Sequence, residues 1–200
     1  MHTAAIEVLD FWFGAPDDPG HRQPRAAWFK KDAAFDAEIV RRFGPLIEAA
    51  LLADERDVSR DWITHPLQAQ PALARLLLLD QFTRNAFRGT PRSFAGDAQA
   101  LHIARALVAS GRDRDLTGVQ RQFVYLPFEH AEEVSHQRTS VQLFEQLARD
   151  EPALAGLVDW AQRHHDIVAR FGRFPHRNSL LGRVSTGEET AFLLTPGSGF

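Results

Sequence analysis

The sequence predicts an all-α fold, and three observations support this prediction. Apolar residues recur at intervals of three and four along nearly all of the 200-residue chain, which is the spacing of one buried helix face. No stretch alternates strictly between apolar and polar residues, as a half-exposed strand does. Turn-forming residues separate segments of about 10 to 20 residues, a length that suits helices packed against antiparallel neighbours. We therefore expect a helical bundle or an α-α superhelix.

The first predicted helix covers residues 4–13 and is followed by a loop. Its apolar residues Ile6, Leu9 and Phe13 lie on one face by the helical spacing. Gly14 stops the helix, because glycine favours the position just after a helix end. Residues 15–20 are rich in Pro, Asp and Gly and have no apolar rhythm, so they form the loop.

A second helix is predicted to begin after Asp32, since a short acidic side chain can accept the N–H groups of the first turn. Gly44-Pro45 can end this helix and start another, or kink it, on the way to about Ala53. A short segment around Trp62 then precedes His65-Pro66.

The third predicted helix is expected to lie at the centre of the fold. Pro71 suits its first turn, and the apolar run to Phe82 leaves no polar face for solvent. A last helix begins at Thr186, which with Glu189 has the spacing of a capping box. Between these, further helices are predicted over about 93–110, 117–125, 127–149 and 152–171.

Composition limits the number of domains and the classes of partner. With 44% apolar and 24% charged residues, the chain suits one globular domain over 1–194 and a flexible tail at 195–200. Its 23 basic and 26 acidic residues are spread evenly, which argues against nucleic-acid and membrane-surface binding. The absence of cysteine excludes disulfides and thiolate metal sites. The N-terminus resembles no secretory signal and no apolar run could span a membrane, so we expect a cytoplasmic protein.

The first candidate ligand-binding segment contains Asp80, Arg84, Asn85 and Arg88. A spacing of four places Asp80 beside Arg84 on one helix face, with Arg88 extending past the helix end. An Asp-Gln pair also ends the most apolar helix of the chain, where buried polar atoms need hydrogen-bond partners. The alternative is a capped helix end followed by a turn at Gly89.

The second candidate segment contains Glu129, His130 and Glu133. If a helix starts at Pro127, two carboxylates and an imidazole share one helical turn, which could bind a metal or supply a general base. Helical di-iron sites use a second Glu-x-x-His motif, which the chain lacks, so no metal is assigned. Alternatively, the acidic residues only complement the dipole of the helix.

The third candidate segment, residues 163–183, has five arginines and three histidines against one acidic residue. Glycine and proline make part of it a sharp connector, where binding groups are commonly placed. Arg173, His176, Arg177 and Asn178 are therefore candidate ligands of carboxylate or phosphate oxygens. The alternative is that these arginines pair with acidic residues of the other two segments and lock helices together.

Three long motifs occur in order along the chain. The first, over residues 77–90, contains LLLDQF, RN and RGT; the second is FVYLPFEH over 123–130, followed by Glu133 and Gln137. The third, over 171–183, contains FGRFPHRN and LGR. With them, nearly the whole chain resembles the domain of unknown function 924 family, a bacterial family without an assigned activity. The resemblance implies a single all-α domain similar to tetratricopeptide-type superhelices. It implies no reaction, and peptide or protein binding follows by analogy of fold alone.

We expect a helical protein that binds a small carboxylate or phosphate compound, or the acidic end of a peptide, without a cofactor. The candidate ligand-binding residues are Asp80, Arg84, Asn85, Arg88, Glu129, His130, Glu133, Arg173, His176, Arg177 and Asn178. One alternative is an enzyme, such as a hydrolase, with His130 or His176 as acid and base and a glutamate orienting it. Another is a structural or interaction scaffold, including a homo-oligomer, whose polar motifs are internal ion networks.

Overall fold

Helices make up all the regular secondary structure in the part of the chain that the computed structural model describes, residues 3–21, 23–53 and 68–199. No strand occurs among these residues, which confirms the prediction of an all-α fold. None of the helices in these ranges is both long and apolar enough to cross a membrane. The predicted segment around Trp62 lies outside the described residues.

The helices are, in chain order, α1 (Thr3–Phe13), α2 (Ala33–Leu52), α3 (Ala69–Leu76), α4 (Thr83–Ala86), α5 (Asp97–Ala109), α6 (Gly118–His130), α7 (Val134–Asp150), α8 (Leu157–Phe171) and α9 (Gly187–Leu193). By their internal contacts the residues form two compact units. The first unit is 1–88 with 92–127, and the second is 89–91 with 128–200. One domain over residues 1–194 stays a prediction.

The first helix, α1, buries a wider face than the one predicted. Leu9 and Phe13 are buried as predicted, Ile6 is 38% exposed, and Val8 and Trp12 are fully buried in addition. The Trp12 ring lies 5.9 Å from that of Trp28 and 5.6 Å from that of Phe123, so it belongs to an aromatic core in the first unit. The larger area that the indole buries decides which face of α1 points to the core.

The second helix, α2, begins as predicted and continues through its proline. The carboxylate of Asp32 accepts two backbone N–H groups of the first turn. Pro45 lies inside α2 and does not end it. The buried residues Ile39, Phe43 and Ile47 continue at a spacing of four across the proline, so their packing outweighs the loss of one backbone hydrogen bond.

The central helix of the first unit is the apolar one that the sequence predicts. It begins at Ala69, with Pro71 in its first turn, and its backbone stays right-handed helical from α3 to α4. The middle part, Leu77–Phe82, is a fully buried π-helical segment, a widened turn that inserts into an otherwise α-helical path. A Cβ atom on Gly96 would lie 2.2 Å from the carbonyl oxygen of Leu79, so α5 begins in direct backbone contact with this segment.

The helix boundaries between the second and third motifs differ from the prediction. Pro127 lies inside α6, which continues to His130, and Glu133 is the N-cap residue of α7. The predicted helix over 127–149 is therefore wrong at its start. Proline is compatible with the first turn of a helix, but here about two and a half turns of α6 precede it, and the helix ends soon after it, at His130.

The second unit is built on the α7–α8 pair. These helices pack along each other, and Gly172 ends α8 with a left-handed backbone (φ 71°). A small apolar core forms where Ile167 and Val168 of α8 meet Phe174 of the following connector. Partly buried apolar side chains pack against this core, namely Val134, Phe171 and Phe192. The connector from α8 to α9 is therefore anchored by Phe174.

Candidate functional site

The first candidate segment lies in the first unit, where Arg84 is held by two carboxylates. Its Nη1 donates to Asp97 Oδ1 at 2.7 Å and lies 3.3 Å from Asp80 Oδ1. Asp80 is fully buried, and the amide of Gln81 also donates to it. The predicted pairing of Asp80 with Arg84 is confirmed, and the buried carboxylate has the partners that its burial requires.

Asn85 and Arg88, the other candidates of this segment, both bind the carboxylate of Asp36 in the first unit. Arg88 donates to both carboxylate oxygens of Asp36 at 2.7 and 2.9 Å, and Asn85 donates to the same carboxylate at 2.7 Å. Partial burial raises the pKa of Asp36, but these hydrogen bonds outweigh burial and hold it below its usual value. The geometry of this segment supports an internal ion network that joins α2 to the central helix.

The second candidate segment does not form the paired-carboxylate turn that the sequence predicts. Glu129 is buried near the end of α6, whereas the Glu133 side chain is 71% exposed and lies 3.5 Å from His136. The prediction is wrong because the two glutamates belong to different helices.

The end of α6 is fixed by a buried amide from α7. Gln137 donates its Nε2 to the carbonyl oxygen of Glu129 at 2.6 Å and to that of Ala131 at 2.7 Å. The Glu129 carbonyl belongs to the last turn of α6, where carbonyls have no partner within the helix, and Ala131 directly follows the helix. Gln137 therefore replaces the missing backbone hydrogen bonds and holds Glu129 in place.

The buried Glu129 carboxylate contacts an imidazole from α8. His164 Nδ1 lies 3.2 Å from Glu129 Oε1 and 2.8 Å from the carbonyl oxygen of Trp160. Burial lowers the pKa of His164 to about 3; the hydrogen bond with the Trp160 carbonyl raises it, and the charges of nearby basic groups lower it further. His164 is thus neutral at pH 7, with its proton on Nδ1, because both neighbours of Nδ1 are hydrogen-bond acceptors.

Around this pair lies a group of side chains that we name the Phe174 cluster. Its members, all in the second unit, are Glu129, His130, His164, Phe174, His176 and Arg177. The Phe174 ring centre lies 5.6 Å from the ring centres of both His164 and His176, and 4.6 Å from Arg177 Cζ. The His130 ring lies 6.5 Å from that of His164. The second and third sequence motifs therefore meet in space.

The Phe174 cluster combines neutral imidazoles with a buried guanidinium. Arg177 is 7% exposed, and its charge acts on both His164 and His176. Burial, followed by the charge of Arg177, lowers the pKa of His176 to about 4. At neutral pH, His164 and His176 can thus donate and accept hydrogen bonds without adding charge, and Arg177 supplies a positive charge.

A second group of polar side chains, which we name the connector clamp, holds the chain around Phe174. Glu132 Oε1 accepts the Phe174 N–H at 2.8 Å and a guanidinium N–H of Arg183 at 2.9 Å. Arg183 also donates to the Phe174 carbonyl and to Asn178 Oδ1. Burial raises the pKa of Glu132, and the hydrogen bonds from Arg183 and Phe174 reverse this effect and lower it.

The clamp continues to α9 through Glu189. This buried carboxylate accepts both Nε and Nη2 of Arg173, at 2.6 and 2.8 Å, and a weaker bond from Asn178. It also accepts the backbone N–H of Thr186, which completes the predicted capping box. Hydrogen bonding by Arg173, followed by that of Thr186, lowers the pKa of Glu189 to about 2. Arg173 and Asn178 therefore serve the clamp.

Sequence reasoning did not place His164, Glu132 or Glu189 among the candidate site residues. A signal existed for His164, because it continues the buried stripe of α8 between Ala161 and Val168. Glu189 was predicted only as part of the capping box. That pattern is local, so it gives no sign of the hydrogen bonds between Glu189 and Arg173. In the described ranges, no group of three or more His, Asp or Glu side chains has an arrangement that could hold a metal ion.

Comparison with known proteins agrees with the sequence motifs. The family model for DUF924, described as a bacterial protein of unknown function, matches residues 8–197. The solved structure of a protein of unknown function from Agrobacterium tumefaciens is 38% identical and superposes with a TM-score of 0.77, covering 95% of this chain and 96% of that chain. No curated protein matches the sequence.

Proposed function

Since this chain belongs to DUF924, a bacterial family of unknown function, we propose a function from its geometry: the Phe174 cluster binds a small molecule with a carboxylate or phosphate group. The supporting observation is that the charge of a buried guanidinium, Arg177, acts on a buried imidazole, His164, and on a partly buried one, His176. Guanidinium and imidazole N–H groups are the usual donors to anionic oxygens, and burial strengthens their electrostatic contribution.

Two other arginines of the segment, Arg173 and Arg183, belong to the connector clamp. Arg173 forms two hydrogen bonds with Glu189, and Arg183 bonds Glu132. We assign Arg177 and His176 to the ligand because both side chains lie against the Phe174 ring. His130, beside His164, is the third group that we assign to it.

The test is calorimetry and thermal unfolding at fixed low salt with inorganic phosphate, succinate and a short peptide ending in aspartate as probes. Saturation at about a hundred times the dissociation constant adds about 2.7 kcal/mol to the free energy of unfolding, which is a rise of roughly 5 to 10 °C in Tm. We expect this rise with at least one probe. The probe that acts distinguishes a phosphate, a carboxylate and a peptide end.

Two variants identify the site. Arg177→Ala should remove the response, and Arg177→Lys should keep a part of it because the charge remains. Arg170→Ala is the matched control, since Arg170 pairs with Glu188 on the exposed side of α8 and should respond like the wild type. Equal responses in Arg177→Ala and wild type, or no response to any probe, would contradict the proposal.

A second candidate function, an enzyme, is favoured by the contact between His164 and Glu129. The Nδ1–H of His164 lies between a carboxylate and a backbone carbonyl, so Nε2 is the atom that takes a proton. Because a pKa of about 3 makes His164 a weak base, this candidate requires a bound substrate that raises that pKa. In this candidate the base is His164 rather than His130 or His176. The enzyme candidate predicts that the protein hydrolyses a bound carboxylate ester or phosphate monoester. It also predicts that His164→Gln abolishes turnover and keeps binding of the probe.

A further inference from the structure

Two fully buried polar side chains of α7 carry atoms without a hydrogen-bond partner among the described residues. They are Gln137, through Oε1, and Ser140, through Oγ; both residues are 0% exposed. A helical serine commonly bonds the carbonyl four residues earlier, and Ser140 does not. A buried polar atom without a partner lowers stability by about 1–3 kcal/mol, so such atoms need an explanation.

The orientation of the Gln137 amide is set by its surroundings. Its nitrogen faces two carbonyl oxygens, those of Glu129 and Ala131, and both need a donor. The reversed amide would place an oxygen against two oxygens, so the assignment of Nε2 and Oε1 follows from chemistry. Oε1 is therefore an acceptor on the opposite side of the amide, and it can be satisfied only by an N–H or O–H group.

Both atoms belong to the buried stripe of α7 that adjoins the Phe174 cluster. Gln137 bonds the backbone of Glu129, whose side chain contacts His164. Val134, one turn before Gln137, packs against the apolar core that contains Phe174. Ser140 follows one turn after Gln137 on the same buried stripe.

We infer that the molecule bound at the Phe174 cluster carries, besides its anionic group, a hydroxyl or amino group that donates to Gln137 Oε1, with Ser140 Oγ as a second contact. This inference rests on the proposed function. Arg177 supplies only donors, which suit an anion, whereas Gln137 Oε1 supplies only an acceptor. A ligand that satisfies both ends is a small hydroxy- or amino-substituted carboxylate or phosphate, and a plain anion leaves the acceptor unsatisfied.

The test compares probes that differ by a hydrogen-bonding group. Malate and aspartate are each compared with succinate, and glycerol 1-phosphate with n-propyl phosphate, by calorimetry at one pH and salt concentration. We expect the substituted member of at least one comparison to bind at least about tenfold more tightly, because a site built for a donor discriminates against an analogue without it. Ser140→Ala should reduce this preference.

Ser140→Ala should fold, since alanine favours a helix and the change removes a buried hydroxyl without a partner. Ser135→Ala, on the exposed side of α7, is the matched control and should keep the full preference. Equal affinities within every comparison, or a preference that Ser140→Ala does not alter, would overturn the inference and leave anion binding intact. If no probe binds in a manner that depends on Arg177, the proposed function fails and the inference fails with it.

Discussion

Three arginines of one connector have three different environments. Arg173 is bound to Glu189, Arg183 to Glu132, and Arg177 lies over the Phe174 ring. Their type and spacing in the sequence are those of a single cationic patch. The partner that each guanidinium meets decides its role, so the positive charge available to a ligand is smaller than the residue count implies.

Gly96 is a residue at which one methyl group should disturb the fold. Its Cβ would overlap the backbone carbonyl of Leu79, which cannot move aside without shifting the buried π-helical segment. We expect Gly96→Ala to lower the free energy of unfolding by about 1–3 kcal/mol, the range for overpacked cores. Urea unfolding should show this as a lower midpoint with an unchanged slope.

The matched control is Gly44→Ala in α2. No atom lies within 4 Å of the position that a Cβ would occupy there. In a helix interior, alanine is favoured over glycine by roughly 0.5–1 kcal/mol. The control should therefore be as stable as the wild type or more stable, and a stable Gly96→Ala would show that the contact with Leu79 relaxes at no cost.

At the scale of elements, the connector between α8 and α9 is ordered by its polar contacts. Gly172 turns the chain, Phe174 enters the core, and Glu132 bonds both the backbone of Phe174 and the guanidinium of Arg183. The clamp thus fixes the segment that carries His176 and Arg177. A change in the clamp should reach the Phe174 cluster through this backbone.

A double-mutant cycle measures the strength of the clamp. We expect Glu132→Ala and Arg183→Ala to be coupled by about 0.5–3 kcal/mol in urea unfolding, because both side chains are about three-quarters buried and share several hydrogen bonds. The control cycle uses Arg170 and Glu188, an exposed pair whose coupling should be about 0–1 kcal/mol. Equal coupling in both cycles would contradict the structural role of Glu132.

At the scale of the whole molecule, acid should destabilise the fold through the buried imidazoles. The folded protein holds the pKa of His164 at about 3 and that of His176 at about 4, below the usual 6.5. Between these values and pH 6.5, the unfolded chain binds more protons than the folded one, so stability falls as the pH falls. Each group contributes at most about 1.4 kcal/mol per pH unit in this window.

The measurement is urea unfolding at several pH values between 7 and 4. His164 is affected by Arg177, His130 and His176, and His176 by Arg177, Glu132 and Arg183, so the two histidines are coupled. We expect His176→Gln to reduce the slope of stability against pH by up to about 1.4 kcal/mol per pH unit. An unchanged slope in this variant would contradict the burial of a neutral His176.

Much of the fold follows from local sequence patterns. The helical spacing, the Asp32 cap, the apolar central helix and the capping box at Thr186 all have the predicted places, because each depends on residues within a few positions of one another. The burial of Trp12 on α1 does not follow from such a pattern, since its ring packs against rings from distant parts of the chain.

For the candidate site, local sequence patterns are enough to identify the candidate side chains. They also show that the second and third motifs are unusually polar. The tertiary structure alone decided that Glu129 meets His164, that Glu133 is solvated, and that Arg173 and Arg183 are bound by carboxylates. The physical reason is the distance along the chain between the residues that interact. A helix cap or an apolar stripe depends on neighbours in sequence, whereas burial and charge pairing depend on residues that only the packing of α6, α7 and α8 brings together.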